Sequence, residues 1–277
     1  MFGLSVIVVL YKKHYENSVA LSTLIDALDD MRAAGFAPTI YVWNNSPGFT
    51  PAINHDSVVW MEGKNISLPL IYNHIAEVSF SEGNDVLMIS DDDTDYCQYD
   101  FKRNLGVVKE IIQDKKRQSN VGCFIPQVHA NGILVSPGGR YCFKGHLIKD
   151  ITSGLVSSRN LVGINSGLLI TKECYKNMKP FYEEKLHFYG TDTNFFVRYE
   201  KYFPYVYVFD SVINHSLSEH TSETLDRAFF RWSDHLYALR ITFSSSNFLC
   251  RTLLEVYIGY LKVKLSLKYR TLKFFLF

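Results

Sequence analysis

The chain has 277 residues, 47% of them hydrophobic, which is enough to bury one large domain or a domain with an appendage. Its 29 basic and 28 acidic residues give a formal net charge of +1, which excludes a general attraction to nucleic acid. The five cysteines are odd in number and form no C-x-x-C pair, so we expect neither a disulfide framework nor a zinc site. Because disulfides are rare in the reducing cytoplasm, we expect a cytoplasmic protein. The N-terminal apolar run is too short for a signal peptide, and no stretch reaches the roughly 18 apolar residues of a membrane-spanning helix.

Strands and helices are predicted to alternate over the first 95 residues. The β-branched run at 4–10 is typical of a strand that is covered on both faces of a parallel sheet. This pattern favours an α/β fold with an open, mostly parallel sheet and helices on both faces. Ligands bind beyond the carboxyl ends of the strands in such sheets, so the turns that follow them should share one edge. Further strands are predicted at 39–43, 58–61 and 85–90, and helices at 21–31 and 68–78.

The second half of the sequence has a less regular pattern, which becomes helical from about residue 222 to the end. We therefore predict a main α/β domain over residues 1–221 and a helical extension over 222–277. In the main domain, strands are predicted at 121–126, 163–171 and 206–213, helices at 172–179 and 192–201, and a glycine-rich hairpin or loop at 135–149.

The segment after Asn247 is basic and amphipathic, with one acid, Glu255, against six lysines and arginines. Four apolar residues recur at helical spacing and line one face: Leu254, Ile258, Leu261 and Leu265. A basic helix of this kind is expected to attach to a membrane surface. Two alternatives stay open, namely a terminal helix packed on the core with solvated lysines, and a face that binds a partner.

Three consecutive carboxylates, Asp91, Asp92 and Asp93, follow the strand predicted at 85–90. Three like charges at the end of a buried strand are costly unless a cation or solvent compensates them. Carboxylate oxygens suit Mg²⁺ or Mn²⁺, and Mg²⁺ often binds one or two carboxylates together with substrate phosphates. Because residues i and i+2 of an extended segment point the same way, Asp91 and Asp93 are predicted to share one ion. The alternative is a solvated acidic turn.

Five segments of the chain, in the same order, resemble family 2 glycosyltransferases of the GT-A fold. The resemblance covers roughly residues 4–216. Within the family, the sequence looks most like bacterial rhamnosyl- and related sugar transferases of surface-polysaccharide synthesis. The segments are the opening strand at 5–12 (SVIVVLYK), the second strand at 40–46 (IYVWNNS), an asparagine-bounded stretch at 65–73 (NISLPLIYN), the strand and D-x-D motif at 85–93, and an acceptor-side segment at 163–198.

The resemblance implies a site for a nucleotide-sugar donor. Tyr11 and Asn44 would flank the nucleobase, and Asn73 would lie near the ribose or the diphosphate. A second group of residues would shape the donor-sugar pocket: Asn165, Ser166 and Gly167.

The resemblance also implies the metal site and the catalytic base. Asp91 would contact the ribose or the metal, Asp92 would border the donor, and Asp93 would hold Mg²⁺ or Mn²⁺ against the diphosphate. His215 would complete the metal site or contact the diphosphate; the alternative is an ordinary surface or half-buried histidine. Asp192 would take the proton of the acceptor hydroxyl, and its alternative role is that of a helix N-cap.

Several residues depart from the family's usual pattern. Asn44 replaces an aspartate that reads uracil, Lys12 replaces an asparagine, Leu68 stands where glycine is common, and Asn194 replaces an acid. These departures leave the identity of the nucleobase and of the sugar open.

The expected function is that of an inverting hexosyl or deoxyhexosyl transferase of lipopolysaccharide O-antigen or capsule synthesis. Residues 1–95 would bind the nucleotide sugar, residues 96–221 would bind a glycan or lipid-linked glycan acceptor, and the protein would be peripheral on the inner face of the cell membrane. The alternative is a non-catalytic carbohydrate-binding or assembly subunit with a degenerate site. A nucleotidyltransferase or a dinucleotide oxidoreductase is disfavoured because the turn at 11–13 (YKK) contains no glycine.

Overall fold

A computed structural model of the chain describes residues 1–214 and 224–277. The strands in this part of the chain are β1 (Phe2–Leu10), β2 (Phe36–Asn44), β3 (Val58–Glu62), β4 (Val86–Ser90), β5 (Val121–Ala130), β6 (Ile133–Ser136), β7 (Gly138–Tyr141), β8 (Lys144–His146), β9 (Gly154–Ser157), β10 (Leu161–Val162), β11 (Leu168–Thr171) and β12 (Tyr205–Asn214). The α-helices are α1 (Val19–Asp26), α2 (Leu28–Ala33), α3 (Leu68–Ser81), α4 (Phe101–Gln113), α5 (Lys115–Gln118), α6 (Lys172–Met178), α7 (Thr191–Tyr199), α8 (Leu225–Thr242) and α9 (Phe248–Tyr269), and short 3₁₀ turns lie at Tyr15–Asn17 and Lys273–Phe275.

The central sheet has the strand order β3-β2-β1-β4-β11-β5-β12-β9, and β6 pairs with β5. Strands β3, β2, β1 and β4 are mutually parallel, and β5 is parallel to β12. β11 lies antiparallel between β4 and β5, so β4 and β5 run in the same direction. The carboxyl ends of β1 to β5 and of β12 therefore share one edge of the sheet.

The sheet is covered on both faces because its inner strands are apolar on both sides. In β1, Leu4, Val6 and Val8 pack into one core cluster with residues of α1, α2 and α4. Ile7 packs into the other cluster with residues of α3, α6 and α7. Burial of each such side chain contributes roughly 2 kcal/mol. The structure confirms the predicted α/β class with a mostly parallel sheet.

Three parts of the predicted secondary structure differ from the observed elements. The helix predicted at 21–31 is divided at Ala27, which ends α1 and begins α2. The strand predicted at 163–171 is shortened to β11, because Gly167 has a φ of +78° and the Leu168 N–H donates to the Asn165 carbonyl in a turn. The segment 94–120, for which no element was predicted, contains α4 and α5.

The region at 135–149, predicted as a hairpin or loop, contributes β7 and β8 to a second sheet with the order β10-β7-β8. In the turn after β7, Cys142 forms a disulfide with Cys250 of α9, so the expectation of no disulfide is wrong. The two residues are 108 positions apart, and only the packing of α9 beside this turn brings them together. Phe143 contacts the ring of Tyr257 on α9, with 5.4 Å between ring centroids.

The last two helices pack on the main domain and on each other. The four apolar residues Leu254, Ile258, Leu261 and Leu265 are all buried, so this face packs on the core and does not contact a membrane; attachment of the helix to a membrane by another face stays a prediction. Leu254, Ile258 and Leu261 pack with residues of α8, and Leu265 packs with Ala228 and Phe274. Within residues 1–214 and 224–277, no helix combines the length and apolarity needed to cross a bilayer.

Candidate functional site

A pocket of about 520 Å³ lies beside the carboxyl ends of β1 and β2, within the size range of small-molecule sites. Tyr11 and Phe49 present half-exposed aromatic rings to it. The pocket is lined by Tyr11, Lys12, Asn45, Ser46, Pro47, Gly48, Phe49 and Asn65. Tyr11 lines this pocket, and its contact with a nucleobase stays a prediction; Phe49, Asn45 and Asn65 were not among the predicted site residues. The sequence signal for Asn45 and Phe49 is the turn Asn44-Asn45-Ser46-Pro47-Gly48 after β2, and Asn65 begins the asparagine-bounded stretch at 65–73.

Asn44 lies behind this pocket and supports the turn that forms its wall. The side chain is buried; its Nδ2 donates to Glu62 Oε1 at 2.6 Å, and its Oδ1 accepts from the Ser46 N–H at 3.1 Å. Glu62 also accepts from the Gly48 N–H at 3.2 Å. Asn44 does not line the pocket, and its contact with a nucleobase stays a prediction.

The carboxylate triplet at the end of β4 forms a turn. The Thr94 N–H donates to the Asp91 carbonyl, so Asp91 and Asp93 do not have the extended geometry from which a shared orientation was predicted. Asp92 forms an ion pair with Lys13 at 2.6 Å, and its carbonyl accepts from the Ser18 hydroxyl at 2.8 Å. The three side chains are half-buried.

Residues 165–167 link the end of β4 to the start of α7. The Ser166 hydroxyl donates to an Asp91 carboxylate oxygen. Asn165 accepts from the Tyr182 hydroxyl at 2.6 Å, and its Nδ2 lies 3.4 Å from Thr191 Oγ1. A Cβ at Gly167 would lie 2.9 Å from atoms of Pro126 and Ile213, so packing and its positive φ both require glycine there. The predicted close approach to a ligand at Gly167 is untested.

Asp192 lies in the first turn of α7. The N-cap of this helix is Gly190, so the alternative role of Asp192 as N-cap is wrong. Burial raises the pKa of the Asp192 carboxyl to about 6; a hydrogen bond from the Thr193 N–H opposes the shift, and the negative charge of Asp91 adds to it. The two carboxylates predicted from distant motifs therefore lie within electrostatic reach of each other.

Two buried tyrosines lie next to these carboxylates. Burial raises the pKa of the Tyr72 hydroxyl well above its usual value, and the charges of Asp91 and Asp192 raise it further. Tyr182 is shifted in the same direction by burial and by the same neighbours, and the two rings lie 5.2 Å apart. Both phenols therefore stay protonated and can donate hydrogen bonds. Neither tyrosine was predicted from the sequence, where only its aromatic type is visible.

Asn73 joins α3 to the segment before α7. Its Nδ2 donates to the Tyr182 carbonyl at 3.0 Å, and its Oδ1 accepts from the Tyr182 N–H at 2.7 Å. These two hydrogen bonds to the backbone of Tyr182 form a structural link, and a contact of Asn73 with ribose or diphosphate stays a prediction.

The loop at 187–190, which leads into Asp192, is held by α8. Asp234 of α8 is buried and accepts hydrogen bonds from the backbone N–H groups of Phe188 at 3.2 Å and Tyr189 at 2.9 Å. The Nδ1 of His187 lies 2.9 Å from the other Asp234 oxygen. A Cβ at Gly190 would lie 2.8 Å from the Cβ of Ala238, one turn further along α8. Helix α8 thus supports the loop that leads to the candidate base. This support was not predicted from the sequence.

His215 lies outside the described residues. The residue before it, Asn214, ends β12 and is paired with His129 at the edge of the sheet that contains the triplet. Among residues 1–214 and 224–277, no group of three or more His, Cys, Asp or Glu side chains is arranged to hold a metal ion. The half-buried oxygens of Asp91 and Asp93 nevertheless suit a hard cation whose remaining ligands are substrate phosphates.

No protein-family model matches the chain, and no curated protein matches it. Among solved structures, the crystal structure of GalNAc-T7 with UDP, GalNAc and Mn²⁺ aligns with a TM-score of 0.57 and 10% identity, over 88% of this chain and 48% of that one. A structure of S. aureus TarS 1–349 aligns at 0.49 and 13% identity over 89% and 73% of the two chains. A197 from STIV aligns at 0.42 and 13% identity over 76% and 82%.

The chain thus spans about half the length of the GalNAc-T7 chain, and at 10% identity the likeness concerns the fold. It agrees with the mostly parallel central sheet and its helices on both faces. The chain therefore has the GT-A fold of glycosyltransferases, as its sequence predicted.

Proposed function

We propose that the chain is an inverting glycosyltransferase that moves a sugar from a nucleoside-diphosphate donor to a glycan acceptor. The observation that supports this most is that residues 165–166 connect Asp91 to the start of α7, where the charge of Asp91 acts on Asp192, at the carboxyl edge of a GT-A sheet and beside a pocket with exposed aromatic rings. Ligands of open α/β sheets bind at this edge. A carboxyl with a raised pKa near a second carboxylate is a common feature of catalytic sites.

Asp192 is the proposed general base. With a pKa of about 6 it is ionised at neutral pH, and it is a stronger proton acceptor than an exposed aspartate. In a single displacement, the acceptor oxygen bonds to the anomeric carbon while the bond from that carbon to the diphosphate breaks. The acceptor proton moves to the Asp192 carboxylate, and the anomeric configuration inverts.

Asp91 and Asp93 would hold a Mg²⁺ or Mn²⁺, with His215 as a further proposed ligand. When bound, the ion neutralises charge that develops on the departing nucleoside diphosphate. The presence of UDP and Mn²⁺ in the GalNAc-T7 structure supports a nucleotide donor and a divalent metal. The hydroxyl of Ser166 donates to Asp91 and orients its carboxylate, whether Asp91 binds the metal or the ribose.

The donor would bind along the edge from Tyr11 to residues 165–167. Tyr11 and Phe49 offer ring surfaces to the base, and Lys12 places its ammonium 5.3 Å from the Tyr11 ring centroid, where it can meet phosphate charge. The remaining proposed donor contacts are Asn44, Asn73, Asp92, Asn165, Ser166 and Gly167. A hexose or deoxyhexose is the proposed sugar.

For the acceptor, we propose a glycan or lipid-linked glycan of bacterial surface-polysaccharide synthesis, reached at the inner face of the membrane. The support is the resemblance of roughly residues 4–216 to bacterial rhamnosyl- and related sugar transferases, together with the basic C-terminal helix. In this proposal residues 1–95 bind the donor, residues 96–221 the acceptor, and 222–277 form the extension.

A non-catalytic carbohydrate-binding or assembly subunit is the second candidate. It is favoured by the absence of a three-ligand metal group within residues 1–214 and 224–277 and by the pairing of Asp92 with Lys13. Such a subunit would not require a divalent cation to bind a nucleotide.

The test is thermal unfolding with a panel of nucleoside diphosphates, with and without Mn²⁺. The wild type should be stabilised by one of them only when Mn²⁺ is present, by about 2.7 kcal/mol when the ligand is at 100 times its Kd. Asp93→Asn should lose this effect, and the matched variant of the exposed neighbour, Asp95→Asn, should keep it. A wild type that no nucleoside diphosphate stabilises removes the donor-site proposal. An Asp93→Asn protein that is stabilised as much as the wild type removes Asp93 from the metal site.

A further inference from the structure

Helix α9 has a second apolar face, on the side away from the core. Its buried residues follow one stripe, and six large apolar residues follow another at positions i, i+4, i+7, i+11, i+14 and i+18. We call these six the outer stripe: Leu249, Leu253, Val256, Tyr260, Val263 and Leu267, which are 67%, 49%, 66%, 58%, 47% and 75% exposed.

A continuous exposed row of this kind differs from the ordinary scatter of apolar residues on a protein surface. Single exposed leucines need no explanation, but a contiguous apolar patch marks an interaction surface. The outer stripe spans most of a 22-residue helix, which is roughly 33 Å long. It takes no part in the core or in the candidate site, so the folded chain gives no internal reason for it.

The charge around the outer stripe is positive. Six basic residues follow Asn247, and the single acid in this segment, Glu255, already pairs with Arg240 through two contacts of 2.9 Å. Lys264 and Lys268 each directly follow a residue of the outer stripe and border it on one side. A surface that complements this helix must therefore offer apolar groups to the outer stripe and negative charge to the lysines beside it.

We propose that the outer stripe docks on an anionic lipid surface, with α9 lying in the plane of the interface. Its leucines and valines enter the boundary between headgroups and acyl chains, and Lys264 and Lys268 meet the lipid phosphates. This specifies the membrane location that belongs to the proposed function, but it is tested without the transfer reaction.

The spacing of the outer stripe would also suit a helix of a second copy. Pairing two copies through the outer stripe would place the bordering lysines of both copies, Lys264 and Lys268, at one interface, and like charges across an interface oppose association. An anionic bilayer reverses the sign of this contribution, so charge selects the lipid surface.

The experiment measures binding of the full chain to vesicles of phosphatidylcholine with phosphatidylglycerol, and to vesicles of phosphatidylcholine alone. The wild type should bind the anionic vesicles more tightly, and added salt should weaken binding. The outer-stripe variant is Leu253→Gln, Val256→Gln and Tyr260→Gln, and it should lose at least about 100-fold in affinity. Its matched control replaces three similarly exposed residues of the main domain, Ile133→Gln, Leu147→Gln and Leu155→Gln, and should bind as the wild type does.

A second pair of variants tests the charge. Lys264→Gln with Lys268→Gln should weaken binding to anionic vesicles about 30-fold. The same change at two exposed lysines of α5, Lys115→Gln with Lys116→Gln, should leave binding unchanged. Since all four lysines are exposed, neither variant removes a buried contact, and this arm stands even if the outer-stripe variant fails to fold.

Three results would overturn the proposal. The wild type could bind neutral and anionic vesicles equally or not at all, or the variants could bind as the wild type does. Light scattering could instead show a wild-type dimer that the outer-stripe variant converts to a monomer without vesicle binding, which would assign the face to a second copy. Nucleoside-diphosphate stabilisation is measured on every variant, so a failure of the donor site is recognised separately from a failure of lipid binding.

Discussion

Asp192 is a half-buried carboxylate in the first turn of α7, and burial raises its pKa to about 6 from an ordinary value of 3.8. The folded protein therefore holds this proton more tightly than the unfolded chain does. Stability contributed by the protonated form is fully present below about pH 3.8 and is lost as the pH rises through about 6. A residue that only supported the fold would not be expected to reduce its stability at neutral pH.

The first prediction is that Asp192→Asn stabilises the protein near neutral pH. The amide has no charge to bury, so the free energy of unfolding should rise by on the order of 2 kcal/mol at about pH 7. The gain should shrink strongly at about pH 4, where the folded wild type is protonated at this site. Urea unfolding of both proteins at the two pH values measures it. An equal gain at both would mean that the carboxyl is not shifted.

At the residue scale, the sequence predicted the candidate carboxylates and missed the residues that surround them. Asp91, Asp93 and Asp192 were predicted because their motifs resemble those of a known family. Tyr72 and Tyr182 were missed because they come from segments brought together only by the packing of α3 against the 182–189 region. Aromatic residues of this kind are common in any core, so no local pattern distinguishes them.

At the level of elements, α8 supports the loop that leads to Asp192. Three positions one turn apart on this helix, Asp234, Ala238 and Thr242, contact the chain between residues 187 and 194; Thr242 accepts from Asn194 at 3.1 Å. A helix of the C-terminal extension therefore determines where the candidate base lies.

The second prediction concerns Asp234. Asp234→Asn keeps the size of the side chain and removes one of the oxygens that hold the 187–190 loop. Because a small displacement of a catalytic group is costly, turnover should fall about 10- to 100-fold while nucleoside-diphosphate affinity is unchanged. His187→Ala, which removes the exposed partner and leaves the two backbone contacts, is the control and should have the smaller effect. Equal turnover in the Asp234→Asn protein and the wild type would show that the loop does not position Asp192.

Prediction of elements succeeded where the pattern was continuous. β1, β2, β4, β5 and β12 are apolar runs, and each was placed within a few residues of its observed bounds. β11 was predicted too long because residues 163–167 form a turn in which Gly167 has a positive φ, and a Cβ at that position would lie 2.9 Å from atoms of Pro126 and Ile213. Those atoms belong to β5 and β12, so the local sequence does not contain them.

For the whole molecule, the Cys142–Cys250 disulfide joins the second sheet to α9 and closes a loop between positions 108 apart. The odd number of cysteines and their wide spacing argued against a disulfide. A pair this distant in the chain has no sequence signature by which it could have been predicted. α9 is otherwise attached through apolar contacts and the Arg240–Glu255 ion pair.

The third prediction is that breaking this disulfide lowers the free energy of unfolding by about 2 to 4 kcal/mol, because a long loop gains entropy in the unfolded chain. Cys142→Ser and Cys250→Ser should have the same effect as a reductant, and the reductant should add nothing to either variant. Cys97→Ser, at an exposed free cysteine, is the control and should unfold as the wild type does. Unchanged stability of the oxidised wild type upon reduction would contradict the prediction.

The central claim is that Asp192 acts as a base on a nucleotide sugar bound at the carboxyl edge of the sheet. The most direct measurement is the hydrolysis of a panel of nucleotide sugars with Mn²⁺, in which water takes the place of the acceptor hydroxyl; the release of nucleoside diphosphate is followed against pH for the wild type, Asp192→Asn and Asp95→Asn. Release by the wild type should rise as the pH passes through about 6 and then level off, since Asp192 must be ionised to accept the proton. Asp192→Asn should be at least about 100-fold slower with unchanged donor affinity, and Asp95→Asn should match the wild type. Release by Asp192→Asn at the wild-type rate, with the same dependence on pH, would contradict the claim.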